Sequence, residues 1–188
     1  MIDGKFILCY NNMIKFEKVG FDMIILGIDP GLAIVGWAVI ETHRGNSRPL
    51  AYGAIRTPAN TLIESRLAII ESDLCEIINK YKPDEMAIEE LFFNTNITTG
   101  IAVAEARGVI LCTAFKHGIK ISEYTPLQVK QAVVGYGKAE KRQVIAMVTS
   151  ILKLPSPPKP DDTADAVAIA LCHAQCAGSA MGKYFNNR

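Results

Sequence analysis

Residues 23–31 read MIILGIDPG, a short apolar run that ends in an acid and a turn. Such a run is typical of a fully buried strand, and Asp-Pro-Gly is a strong turn signal. A carboxylate at the end of a buried strand is costly to place, so it usually has a partner or a chemical role. The stretch therefore predicts the central strand of a sheet, with Asp29 as a candidate functional residue at its carboxyl end.

Outward from this strand, Gly and Pro punctuation and hydrophobic periodicity predict the other elements. Further strands are expected at about 33–41, about 50–57, 84–89 and 119–124, and helices at 61–82, about 98–117, 126–134, about 139–152 and about 161–177. The first three strands form an antiparallel meander, and the later ones return through helical crossovers, parallel to the first. The predicted fold class is α/β, a mixed five-stranded sheet flanked by helices. Thr61 and Glu64 are expected to form a capping box at the first helix.

Three more acids stand where a buried element meets a turn. Glu89 ends the segment 84–89, and Asp162 and Asp165 open the last helix after a proline-rich loop. The i, i+3 spacing puts the latter two on one helix face. If the strand at 84–89 lies beside the strand at 23–29, all four acids meet at one sheet edge. Oxygen ligands of this kind suit Mg²⁺ or Mn²⁺ and phosphate chemistry.

Each acid also has a structural explanation when it is taken alone. Asp29 fits a turn residue, Glu89 fits a surface acid beside Glu90, and Asp162 and Asp165 fit capping and dipole complementation of a helix. The joint placement of the four is far more specific than any one of them.

Composition restricts the class of protein. Of 188 residues, 49% are hydrophobic and 21% charged, which indicates a globular chain. No apolar stretch approaches the ~18 residues that a membrane span needs. Residues 1–22 do not read as a signal peptide and are interpreted as an N-terminal extension or a misplaced start, with 23–188 as a single domain. Five scattered cysteines indicate free thiols in a reducing compartment, and hence a cytoplasmic protein.

Charge is unevenly distributed along the chain. Residues 116–153 carry seven Lys or Arg against two Glu, a net +5 within a chain of net +1. A basic segment near an acidic metal site suits a polyanion that is gripped in one place and cut in another. A solvated helix face is the alternative. Phe92 and Phe93, in a polar loop, either cap the core or stack on an unpaired base.

Five segments, taken together, closely resemble the RuvC family of Holliday-junction resolvases. They are ILGIDPG at 25–31, AIEELF at 87–92, QVKQ at 128–131, GYGKAEK at 135–141 and DTADA at 162–166. The resemblance runs in order through nearly the whole chain. It implies a ribonuclease H-like fold and a Mg²⁺-dependent homodimer that nicks opposing strands of a four-way DNA junction symmetrically, in recombination and repair. It also implies RuvA and RuvB as partners and 5′-phosphate products.

The resemblance assigns roles residue by residue. The four acids match catalytic metal ligands, with two Mg²⁺ ions expected and Mn²⁺ as a substitute. Phe92 matches an aromatic that stacks on a base near the crossover, and Lys130 and Lys141 match basic residues that support junction binding and cleavage. The apolar face of the helix at 98–117, which includes Ile101, Gly108 and Phe115, is the expected dimer interface.

Two other classes stay open. Residues 27–31 also resemble the first phosphate loop of actin-like and sugar-kinase-like ATPases, although those proteins are usually much longer. A non-catalytic junction-binding module is the second, and the presence of all four acids argues against it.

Overall fold

A computed structural model describes residues 22–91 and 97–177 of the chain. The strands are β1 (Met23–Asp29), β2 (Ile34–His43), β3 (Asn46–Arg56), β4 (Glu85–Glu89) and β5 (Lys120–Tyr124). The helices are α1 (Ile63–Tyr81), α2 (Ile97–Lys116), α3 (Pro126–Val134), α4 (Lys141–Ile151) and α5 (Asp161–Ala177).

The strands form one mixed sheet in the order β3-β2-β1-β4-β5. β1 lies at its centre, antiparallel to β2 and parallel to β4, while β5 continues the parallel half. This arrangement confirms the predicted meander, the helical crossovers and the central position of the strand that ends in Asp29. It also places the carboxyl ends of β1 and β4 at the same edge of the sheet.

The ribbon formed by β2 and β3 is longer than its sequence suggests. The segments predicted at about 33–41 and about 50–57 extend to meet at a tight turn, where His43 pairs with Asn46. Both turn residues, Arg44 and Gly45, have positive φ, at 47° and 81°. Two such residues suit a two-residue hairpin whose twist matches that of the strands. Arg-Gly is a weaker turn signal than Asn-Gly, so the sequence did not mark the turn.

Helices cover both faces of the sheet. One core cluster joins the sheet to α1 and α2, and a second joins its other face to α3, α4 and α5. The predicted capping box at α1 is wrong. The helix begins after Leu62 without a side-chain cap, because the Thr61 hydroxyl donates to the carbonyl of Pro58 at 3.0 Å instead. No helix in the described ranges combines the length and apolarity that a bilayer crossing requires.

Helix α2 is apolar on two sides. Ala106, Ile110 and Ala114 are fully buried against the sheet and α1. Ile101 and Phe115, on the other side, are 52% and 79% exposed. The apolar face singled out in the sequence is therefore open to solvent in the single chain.

Helix α5 lies very close to β1 and β2, because two glycines permit the approach. A β-carbon on Gly27 would lie 2.3 Å from the carbonyl oxygen of Ala166, and one on Gly36 would lie 1.9 Å from that of Asp162. Real β-carbons do not make contacts this short, so a larger residue at either position would displace the helix. The glycines thus fix the start of α5 beside the central strand.

The Cys172-His173-x-x-Cys176 segment of α5 belongs to the core. His173 is 1% exposed. Its Nδ1 lies 2.7 Å from the Tyr124 hydroxyl, and its Nε2 lies 2.9 Å from a Glu85 carboxylate oxygen. Burial lowers the pKa of His173, although Glu85 opposes that effect. Because both ring nitrogens have hydrogen-bond partners, the buried imidazole is satisfied within the core.

Candidate active site

Two of the predicted acids end neighbouring parallel strands. Asp29 is the last residue of β1 and Glu89 the last of β4, and the two strands pair as far as Ile28 and Ile88. Both acids therefore lie at the carboxyl edge of the sheet, as the sequence predicted. The two carboxyls are close enough for the charge of Glu89 to raise the pKa of Asp29.

The other two acids come from the first turns of α5. In β2, Gly36 pairs with Asp29, and the main chain of Asp162 lies directly over Gly36. Asp165 follows one turn later, and both acids are half-buried. Asp165 and Asp162 each raise the pKa of Asp29, so the structure brings all four acids into one electrostatic cluster.

Burial and mutual repulsion raise the pKa values in this cluster. Desolvation is the largest cause for Asp29, and with the charges of Glu89, Asp165 and Asp162 it raises the pKa of Asp29 to about 8. Desolvation also raises the pKa values of Glu89 and Asp165. With a pKa of about 8, the Asp29 carboxyl is mostly protonated at neutral pH, and a bound cation would favour its ionised form.

Two lysines provide positive charge next to the acids. Lys141, the first residue of α4, places Nζ 2.9 Å from Asp165 Oδ2 and 3.7 Å from Asp161 Oδ2. Partial burial lowers the pKa of Lys141, but the bond to Asp165 and the surrounding acids outweigh it and raise the pKa overall. Lys130 of α3 lowers the pKa of Glu89 through its charge. Lys141 lies at the start of α4, whereas Lys130 lies in the middle of α3, a helix that begins with a Thr125–Gln128 capping box.

The donor chemistry of the cluster fits a divalent cation. Four carboxylates form an all-oxygen set, and a cation would offset the repulsion that raises their pKa values. As they stand, no three His, Cys, Asp or Glu side chains in the described part of the chain converge closely enough to enclose an ion. A cation bound here would compete with Lys141 for the Asp165 carboxylate.

The structure also identifies two residues near the site that the sequence analysis did not single out. Arg107 of α2 donates to the main-chain carbonyl of Glu89 at 3.4 Å, and no motif pointed to it. A single arginine within a largely apolar helix was the available signal. Gly36 was missed as well, although a glycine inside a strand often marks a close backbone approach. Phe92 lies outside the described residues.

The family model and the curated relatives point to one family. Residues 25–173 match the family described as "Crossover junction endodeoxyribonuclease RuvC". The protein of that name from Halothermothrix orenii is 57% identical over 151 residues, 80% of this chain and 92% of its own. That from Heliobacterium modesticaldum is 57% identical over 152 residues, 81% and 94% of the two chains.

A solved structure agrees in sequence and fold. "T. thermophilus RuvC in complex with Holliday junction substrate" is 35% identical, with a TM-score of 0.80 over 85% of this chain and 97% of that one. The family match over residues 25–173 includes all four acids of the cluster. The chain therefore belongs to the RuvC family of crossover junction endodeoxyribonucleases, and it is an endonuclease with the ribonuclease H-like fold.

Proposed function

We propose that this enzyme resolves four-way DNA junctions by metal-dependent phosphodiester hydrolysis at the cluster of Asp29, Glu89, Asp162 and Asp165. The proposal rests on one observation. Asp29 and Glu89, at the ends of two strands, lie beside two acids of α5, a helix that packs closely on the sheet because of two glycines. The relative from T. thermophilus is described with a Holliday junction as its substrate. Resolution of that substrate serves recombination and repair.

The four acids divide into distinct roles. Two Mg²⁺ ions, for which Mn²⁺ substitutes, would supply activation of the attacking water and stabilisation of the leaving oxygen. Asp29 would be shared by both ions because it is central and most strongly coupled to the other acids. Glu89 would hold one ion, and the face formed by Asp162 and Asp165 would hold the other. The products carry 5′-phosphate and 3′-hydroxyl ends.

Lys130 and Lys141 contact the phosphate backbone in this proposal. Both lie close enough to the acid cluster for their charges to act on Glu89. Lys141 would exchange its contact with Asp165 for a DNA phosphate when the cation binds. Phe92, three residues after Glu89, stacks on a base near the crossover.

A homodimer matches the pseudo-two-fold symmetry of a four-way junction. The exposed side of α2 supports this assembly, because Ile101 and Phe115 present apolar surface without a partner in the single chain. We place the interface there. We also propose docking of the RuvA–RuvB complex and a cytoplasmic location.

The nuclease domain occupies 23–188 in this proposal, with 1–22 as an extension. The family match, over 25–173, supports the start of the domain near β1.

Cleavage of a labelled four-way junction tests the function directly. A linear duplex of the same sequence is the substrate control, and EDTA replaces Mg²⁺ in a parallel reaction. We expect paired, symmetric nicks in the junction alone, lost in EDTA. Tight junction binding without nicks in Mg²⁺ would indicate a binding module. Equal cutting of the junction and the linear duplex would refute selectivity for junctions.

A further inference from the structure

Arg107 reaches from α2 to the end of β4, where Glu89 lies. Its Nε donates to the carbonyl oxygen of Glu89 at 3.4 Å, and its Nη2 donates to Glu123 Oε2 at 2.6 Å. The Arg107 side chain is 15% exposed, so its contact with the Glu89 carbonyl is partly buried, whereas Glu123 is 48% exposed. One guanidinium thus connects α2 to both β4 and β5 beside the acid cluster.

The main chain at Glu89 has limited support from β1. The ladder between β1 and β4 ends at Ile28 and Ile88. After β1 ends at Asp29, the chain continues into Pro30, which has no N–H to donate. On the other side, the N–H of Glu90 donates to the carbonyl of Tyr124 at 2.8 Å. Arg107 therefore adds a donor where β1 has none left to offer.

The contact acts on the position of Glu89 more than on its charge. Burial raises the pKa of Glu89, and the cations that lower it most are Lys130 and Lys141. The charge of Arg107 is paired with Glu123. A planar guanidinium suits this arrangement, because it directs two donors to two fixed acceptors at once.

We infer that Arg107 is a positioning residue, which holds the end of β4 so that Glu89 is placed to bind a divalent cation. The inference rests on the proposed function of the acid cluster. Without the guanidinium, the end of β4 gains freedom and the carboxylate is less often in place. Groups that orient metal ligands in this way commonly change metal affinity by roughly 10–100-fold.

The test compares Arg107→Met with Glu123→Gln in the full chain. Arg107→Met removes both donors, whereas Glu123→Gln keeps an acceptor oxygen for the guanidinium and leaves the contact with Glu89 intact. Mn²⁺ binding is measured by calorimetry without DNA, junction affinity by gel shift in EDTA, and cleavage as a function of Mn²⁺ concentration. We expect Arg107→Met to weaken Mn²⁺ binding and raise the half-saturating concentration about 10-fold, with junction affinity unchanged. Glu123→Gln should behave like the wild type.

Equal Mn²⁺ affinity in Arg107→Met and wild type overturns the inference. If that variant fails to fold, Arg107→Lys carries the test, because an ammonium cannot direct two donors in the same geometry. An intermediate loss of Mn²⁺ affinity in Arg107→Lys supports the role, and none overturns it. A wild type that cuts no junction would instead refute the proposed function, so the two failures are distinct.

Discussion

The carbonyl oxygen of Asp162 occupies the space that a β-carbon on Gly36 would need, 1.9 Å from its position. Gly36 pairs in turn with Asp29 across β1 and β2. A residue without a side chain therefore seats the start of α5 directly beside the central acid. The site therefore depends on glycine at position 36, which has no β-carbon, as well as on the four carboxylates.

We expect Gly36→Ala to displace the start of α5 and lower junction cleavage at least ~10-fold, since misplacement by about 1 Å can cost more than that. Overpacking should also destabilise the fold by about 1–3 kcal/mol. Cleavage rates and thermal unfolding measure the two effects. Val35→Ala is the matched control, because Val35 packs in the core cluster on the opposite face of the sheet. The Val35→Ala variant should be less stable than the wild type but still cut junctions. Equal cleavage by the two variants would show that the position of α5 does not depend on Gly36.

Asp29→Asn should bind junctions with wild-type affinity and cut them roughly 10²–10³-fold more slowly, because an amide does not supply the negative charge of the shared ligand. Gel shifts in EDTA and single-turnover cleavage in Mg²⁺ separate the two properties. Glu76→Gln, which removes an exposed acid from α1, is the charge control. Undiminished cleavage by Asp29→Asn would show that this carboxylate is not a ligand.

The same variant makes a prediction about stability. The pKa of Asp29 rises from its usual 3.8 to about 8 in the folded chain. The folded state thus holds a proton that the unfolded state loses, so stability from this group is present below pH ~4 and declines as pH rises through 8. Asn does not ionise. In EDTA, Asp29→Asn should be more stable than wild type at pH 8.5, by on the order of 1–3 kcal/mol, and the gain should vanish near pH 4. Urea unfolding at both pH values checks the sign.

Metal affinity should rise with pH for the same reason. A proton on Asp29 must leave before a cation binds, so the half-saturating Mg²⁺ concentration should fall as pH rises from 6 to about 8, by up to ~10-fold for each pH unit. Above the pKa the dependence should level off. Calorimetry with Mg²⁺ in buffers of different ionisation enthalpy would count the released protons. A flat profile across this range would contradict the protonation of Asp29.

Lys141→Ala should weaken junction binding and lower the slope of log affinity against log salt by about one, as should Lys130→Ala. Lys116→Ala is the control, since Lys116 belongs to the same basic segment but pairs with Glu71 at 3.2 Å on the opposite face of the sheet. Binding titrations at several salt concentrations in EDTA provide the slopes. If the Lys116 variant changes the slope as much as the other two, the DNA contacts are not localised at the acid cluster.

Phe115→Glu should break the proposed dimer, because it puts a charge on the exposed apolar side of α2, near the end of the helix. We expect dimer affinity to fall by at least ~10-fold, measured by sedimentation over a range of concentrations. Leu62→Glu is the control, because Leu62 is also an exposed apolar residue: Leu62 is 68% exposed and Phe115 is 79% exposed. Monomers in both variants, or in neither, would place the interface elsewhere.

The central part of the site could be predicted from local sequence. An apolar run that ends in an acid specifies both a strand and the edge where its last side chain emerges, which located Asp29 and Glu89. The i, i+3 spacing fixed Asp162 and Asp165 on one face of α5. These features depend on neighbours in the chain, so they are visible in one sequence.

What the sequence could not show depends on contacts between distant segments. The dipeptide at 44–45 does not reveal that β2 and β3 meet there, and the periodicity of α2 fits two faces equally. The Thr61 hydroxyl donates to the carbonyl oxygen of Pro58 and does not cap the helix. Arg107 acquires its significance only when α2 packs beside the end of β4.

The burial of α5 affects how the protein responds to heating and to substitutions in this helix. From Thr163 to Ala174, every residue except Asp165 is buried. A helix so enclosed can open only when the domain as a whole unfolds, and its amide hydrogens should exchange with solvent at the slowest rates in the protein. Asp165, which lies within this stretch, should therefore not become disordered locally. Cleavage and fold should be lost at the same temperature, and a substitution that loosens this helix puts both at risk at once.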